Sequence, residues 1–135
     1  MSILSPGLSE AKSVRILIAD DTPSSRELLR SILETCAYEI AEAEDGEQVV
    51  AKAILFEPHI FILDLQMPRL SGYGAAAALR KLPAFEKTPI VALTAALSET
   101  QHKQIMEAGF TSFLVKPIGP SRLRQCVASL LEQVS

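Results

Sequence analysis

Apolar and polar positions along this chain fall into two alternating kinds of segment: short apolar runs, and longer stretches in which apolar residues return every three or four positions. The run at residues 14–19 is apolar and β-branched enough to predict a strand covered on both faces. Residues 38–43, 59–65, 89–94 and 111–115 predict four more strands, of which the third is the most apolar. Thr22 and Pro23 predict a helix start, because a hydroxyl can cap and proline suits the first helical position. In that helix Leu28, Leu29, Ile32, Leu33 and Cys36 recur on one side. Asp45 with Gln48, and Ser98 with Gln101, have capping-box spacing and predict two further helices, the first running to about Phe56 and the second ending at Gly109. Residues 73–82 predict a helix with an alanine run, and Gly119-Pro120 opens a last one with Leu123, Cys126, Val127, Leu130, Leu131 and Val134 as its buried stripe.

Strands alternating with helices imply an α/β fold: a parallel sheet with right-handed crossovers and helices on both faces. In such folds functional groups collect at the carboxyl ends of the strands. The residues at those ends are Asp20 and Asp21, Asp64, Thr94 and Lys116. Carboxylates gathered this closely need a cation, and hard oxygen ligands suit Mg²⁺. Asp20 and Asp21 therefore read as a metal site. Asp64 is then a candidate nucleophile toward phosphorus, with Lys116 supplying positive charge and the Thr94 hydroxyl a hydrogen bond to phosphoryl oxygens.

Composition trims the alternatives. The 135 residues suit one domain, the hydrophobic fraction is 48%, and no apolar stretch approaches the roughly 18 residues a spanning helix needs. A soluble, cytoplasmic protein is expected. The net charge of −3, with scattered basic residues, argues against nucleic acid or an anionic membrane as direct partner. Cys36 and Cys126 have no metal-type spacing and read as buried free thiols in a reducing compartment. Residues 1–13 show no secretion signal and read as a flexible leader or linker before a domain at residues 14–134.

The chain resembles the receiver domain of the two-component response regulator family, in its CheY-like form. The resemblance rests on the acidic pair Asp20-Asp21, on Asp64 with Pro68 and Gly72 in LDLQMPRLSG, on Thr94 followed by the small Ala95 in ALTAA, and on Lys116-Pro117 in FLVKPI. It implies a flavodoxin-like (βα)5 three-layer sandwich with strand order 2-1-3-4-5. It further implies that Asp64 accepts a phosphoryl group from a phosphohistidine on a sensor histidine kinase or a histidine phosphotransfer protein. Mg²⁺ would be bound by Asp21, Asp64 and the Gln66 backbone carbonyl, with Asp20 acting through water, and a cis bond before Pro117 would aim Lys116 into the site. The family's switch pair would be Thr94 and the aromatic of strand five, Phe113, signalling through the face of helix four, strand five and helix five to a downstream protein.

Plainer readings stand beside these. Asp21 also fits a helix cap, Thr94 a strand-end hydroxyl, and Phe113 the core. His59 and His102 read as structural or exposed groups and not as phosphate donors. An aspartyl-phosphate phosphatase would want a second acid two residues after Asp64, and Leu65-Gln66 offers none. The chain is thus expected to be a regulatory phosphoacceptor acting only on its own phosphorylation and dephosphorylation. A degenerate receiver serving as a phosphorylation-independent interaction module is the alternative.

Overall fold

A computed structural model describes residues 13–134, and side chains to residue 132. Apart from Ser13, the expected leader lies outside the described residues. Strands β1 (Arg15–Ala19), β2 (Glu39–Ala43), β3 (Ile60–Asp64), β4 (Ile90–Thr94) and β5 (Ser112–Val115) form one parallel sheet in the order β2-β1-β3-β4-β5. Helices α1 (Pro23–Glu34), α2 (Gly46–Phe56), α3 (Gly72–Arg80), α4 (Glu99–Ala108) and α5 (Pro120–Val134) cover it. The flavodoxin-like order expected from the resemblance is the one observed. No described helix is long and apolar enough to cross a membrane.

Position in the sheet explains strand composition. β3 and β4 are buried along their whole length, whereas edge strand β2 carries Glu39 and Glu42 and edge strand β5 carries Ser112. Side chains alternate between the two faces of each strand. Ile16, Ile18, Ile60, Ile62, Val91 and Leu93 therefore pack on one face with α1 and α5. Leu17, Ala19, Phe61, Leu63, Ile90 and Ala92 pack on the other with α2, α3 and α4. A one-turn 3₁₀ helix at Pro83–Phe85, not foreseen from periodicity, places Phe85 edge-on against Phe61 at 5.3 Å.

Several local expectations change. Leu28 is 57% exposed, because α1 meets the sheet along the narrower line of Leu29, Ile32 and Leu33. Thr22 makes no side-chain cap; its own N–H is instead held by Asp20 Oδ1 at 2.9 Å. Both cysteines are partly buried, Cys36 because α1 ends before it, and burial pushes the Cys126 thiol up. In α5, Leu123, Val127 and Leu130 are buried while Leu131 is only partly so; the Val134 side chain lies outside the description. Asp45 and Ser98 cap as expected, accepting from Gln48 and Gln101 N–H, and Ser71, not foreseen, caps α3 by accepting from Gly74 N–H. The Gln48 side chain returns to Glu44 N–H, one residue short of the capping-box partner.

Candidate functional site

Each strand delivers its functional side chain where its ladder ends. Asp20 follows β1, Asp64 and Thr94 close β3 and β4, and Lys116 follows β5. Backbone bonds carry the sheet past these points: Asp20 N–H to the Ala43 carbonyl, Leu65 N–H to Leu93 and Lys116 N–H to Thr94. Because the strands are parallel, all of these residues stand on one edge. Asp20 is fully buried, Asp64 nearly so, and Asp21 is exposed. The three carboxylates each offer an oxygen within 4.8 Å of the others.

Lys116 resolves part of the repulsion. The peptide bond to Pro117 is cis, and the Lys116 Nζ donates to Asp20 Oδ2 at 3.0 Å and to Asp64 Oδ2 at 2.7 Å. Burial would lower the Lys116 pKa, but the bonds to Asp64 and Asp20 outweigh it and hold the pKa above the usual lysine value. Asp64 is shifted upward. Burial is the main cause, opposed by the Lys116 bond and by Gln66 N–H on Oδ1 at 2.9 Å, and reinforced by the charge of Asp20. A buried carboxylate pair with a third at its rim calls for more positive charge than one ammonium supplies. The donor set is all hard oxygen, with an exposed member facing solvent, and it fits a small divalent cation such as Mg²⁺.

The loop after Asp64 is held by close backbone approaches. A Cβ on Gly72 would lie 2.3 Å from the Asp64 carbonyl oxygen, and one on Gly46 would lie 2.0 Å from that of Leu70. Only glycine fits at either place. Gly72 N–H bonds the Leu65 carbonyl, Leu70 N–H bonds that of Pro68, and Arg69 reaches across to Asp45. Gly72 and Pro68 are therefore structural parts of the loop that carries Gln66.

A hollow of about 250 Å³ opens over Asp64, lined by Gln66, Thr94, Ala95, Ala96, Gln101 and Lys116. The Thr94 hydroxyl donates to the Ala96 carbonyl at 2.6 Å. Phe113 is half-buried, its ring 5.2 Å from that of exposed His102 on α4. Sequence reading did not find Gln101, which the first turn of α4 aims at the hollow, nor the contact of His102 with Phe113. Only the Ser98 cap, which sets where α4 begins, pointed toward Gln101. His59 is structural, its Nδ1 accepting Arg15 N–H at 2.9 Å. Another hollow, of about 790 Å³, lies at the opposite edge of the sheet near Ile54, Pro58 and Phe85, and it gathers none of these carboxylates.

Comparison with known proteins agrees with this geometry. The family model described as the response regulator receiver domain matches residues 16–128. The transcriptional regulatory protein ResD of Bacillus subtilis is 35% identical over 128 residues, which cover 95% of this chain and 52% of that protein. The signal transduction histidine-protein kinase BarA of Escherichia coli is 30% identical over 121 residues, covering 89% of this chain and 13% of that protein. The chain thus spans about half the length of the first transcriptional regulators it matches, and much less of the kinase. Among solved structures, the chemotaxis protein CheY4 of Vibrio cholerae superposes with a TM-score of 0.85 at 29% identity, over 88% of this chain and 99% of that one. The receiver domain of sensor histidine kinase PA1611 from Pseudomonas aeruginosa, solved with a magnesium ion in its active site cleft, does so with a TM-score of 0.83 at 25% identity, over 90% of this chain and 99% of that one. An acidic cluster at the carboxyl edge of a 2-1-3-4-5 sheet, a lysine bridging two of its members, and a family match across the domain lead to one conclusion: this chain belongs to the response regulator receiver domains, the signalling domains of two-component systems.

Proposed function

We propose that this chain is a working phosphoacceptor in a two-component or phosphorelay pathway, with Asp64 as the residue phosphorylated. The observation that carries the reading is the Lys116 ammonium seated between Asp20 and Asp64. In the reaction an Asp64 carboxylate oxygen forms a bond to phosphorus while the bond from phosphorus to the donor imidazole nitrogen breaks, and that nitrogen leaves with the electron pair and is protonated. Asp21, Asp64 and the Gln66 backbone carbonyl would hold Mg²⁺, with Asp20 acting through water. When bound, the ion supplies positive charge to the phosphoryl oxygens. Lys116 moves its hydrogen bond from Asp64 to a phosphoryl oxygen, and Thr94 gives up the Ala96 carbonyl to donate to another. Ala95 and Ala96 leave that approach uncrowded.

The donor is a sensor histidine kinase or a histidine phosphotransfer protein, and the setting is the cytoplasm. The chain is regulatory and turns over no substrate but its own phosphoryl group. Phe113 follows Thr94 inward, and the change is read by a protein target on the face of α4, β5 and α5. Support for a movable α4 comes from its packing: Ile105 is its one buried residue. The rival reading, a degenerate interaction module, lacks a reason for the buried lysine-bridged carboxylates.

Intact mass after incubation with Mg²⁺ and acetyl phosphate tests the proposal. One added phosphate is expected on the wild type, and none on Asp64→Asn or in EDTA; a folded wild type that gains nothing, even from a phosphohistidine donor, would overturn it. Charge reversal at Lys103 or Arg122 on the α4 to α5 face is expected to weaken target binding and leave phosphorylation unchanged.

A further inference from the structure

Arg69 stands out in the loop that follows Asp64. Its φ is 65°, a left-handed conformation that favours glycine and strains a side-chain-bearing residue. Its guanidinium reaches the N-cap of α2, placing Nε 2.9 Å and Nη2 2.8 Å from Asp45 Oδ2. Asp45 is buried, and its other oxygen accepts Gln48 N–H at 2.9 Å. Asp45 thus has one oxygen for the helix and one for the arginine. The Gln48 N–H, followed by Arg69, holds the Asp45 carboxyl below the usual aspartate range. Side-chain exposure differs sharply across the pair, 60% for Arg69 and 2% for Asp45. A mostly solvated arginine is held to a buried acid by a paired contact.

The same stretch of backbone is clamped on its other side, where Gly46 admits the Leu70 carbonyl at a distance no side chain would allow. The loop from Leu65 to Ser71 is therefore fastened to the start of α2 at two adjacent residues, Arg69 and Leu70. Three positions before Arg69 stands Gln66, whose N–H binds Asp64 Oδ1. Its carbonyl is the backbone ligand in the proposed metal site.

We infer that Arg69 is a positioning residue for the acceptor site, its ion pair with Asp45 fixing the loop so that the Gln66 backbone presents its carbonyl to a divalent cation while its N–H holds Asp64. This rests on the metal reading under Proposed function. The Arg69 guanidinium is committed to Asp45. It acts through the backbone of Met67 and Pro68.

The test is Mg²⁺ affinity by titration calorimetry on the whole chain for the wild type, Arg69→Gly, Arg69→Lys and Asp45→Asn, with thermal melts in EDTA. Arg69→Gly separates positioning from structure, because glycine relieves the left-handed conformation while removing the latch. It is expected to unfold cooperatively, the relieved backbone strain offsetting part of the lost ion pair, and to bind Mg²⁺ about tenfold more weakly, at the lower end of the losses known when the support of a metal ligand is removed. Arg69→Lys, which keeps one charged contact, is expected to fall between the two, and Asp45→Asn combined with Arg69→Gly to add little to Arg69→Gly alone. Unchanged Mg²⁺ affinity in Arg69→Gly would overturn the positioning role while leaving the acceptor reading in place. A wild type that binds no Mg²⁺ would overturn both.

Discussion

Lys116 and Asp64 meet across 52 positions of sequence, Nζ to Oδ2 at 2.7 Å, and the same ammonium holds Asp20 at 3.0 Å. One side chain from the β5 end thereby bridges carboxylates delivered by β1 and β3. The lysine serves as counter-ion in the arrangement observed, and any metal that enters must compete with it for two of the three carboxylates.

Replacing Lys116 by alanine is expected to have effects of opposite sign. Without metal, Asp20 and Asp64 are left facing each other in a buried setting, and the protein melts lower. With Mg²⁺ the competing ammonium is gone, and the gain in melting temperature on adding the ion exceeds that of the wild type. Phosphorylation from acetyl phosphate slows by roughly 10²–10³, the scale expected when a positioned charge donor is lost from a transition state. Paired melts with and without Mg²⁺ check the first two effects. An equal metal-induced rise in both proteins would show that Lys116 does not compete.

Asp64 is held above the ordinary aspartate pKa of about 3.9, chiefly by burial. A carboxyl whose folded pKa is raised favours folding below the unfolded pKa, and this contribution is lost as pH climbs through the folded value. At pH 7 the ionised group is therefore a liability to the fold. Asp64→Asn is expected to raise the melting temperature at pH 7. The advantage should shrink as pH falls through the raised pKa toward 3.9. A gain that stayed constant from pH 7 to pH 4 would assign the effect to something other than ionisation.

The site was legible in the sequence for a topological reason. A parallel sheet puts every strand's carboxyl end on one edge, so Asp20, Asp64, Thr94 and Lys116 had to converge once the strands were recognised. Side-chain choices within that frame were less legible. Thr22 has the type and place of a cap, yet the neighbouring Asp20 carboxylate already holds the Thr22 N–H. Leu28 has helical spacing, yet a helix on a sheet buries a line narrower than its apolar stripe. The left-handed Arg69 and its bond to Asp45 arise from how a loop lands on a distant helix start, which no local pattern encodes.

α4 is fastened mainly at one end. Ile105 is its one buried residue, and the Arg80 guanidinium binds the Gly109 carbonyl at 2.9 Å just past its last turn. Ile105→Ala is expected to cost about 2–4 kcal/mol, as core truncations do. Much of that loss should be local, so hydrogen exchange in α4 speeds before exchange in α5, whose stripe includes Leu123, Val127 and Leu130. Exchange that rises equally in both helices would show that α4 does not open as a separate unit.

Leu28 and Leu33 lie on the same helix and should separate docking from stability. Leu33 is fully buried, and Leu33→Ala is expected to cost about 2–5 kcal/mol. Leu28 is exposed and borders a hollow of about 350 Å³ that also takes in Asp20, Lys116, Pro117 and Ile118, and under the proposed function it is offered as a contact for the protein donor. Leu28→Ser is expected to change stability by less than about 0.5 kcal/mol and to leave phosphorylation by acetyl phosphate intact. Transfer from a phosphorylated histidine phosphotransfer domain active on the wild type should slow about tenfold, the effect of losing roughly 1.4 kcal/mol of docking energy. Equal slowing with both donors would place Leu28 in the chemistry, and no slowing with either would remove it from the donor interface.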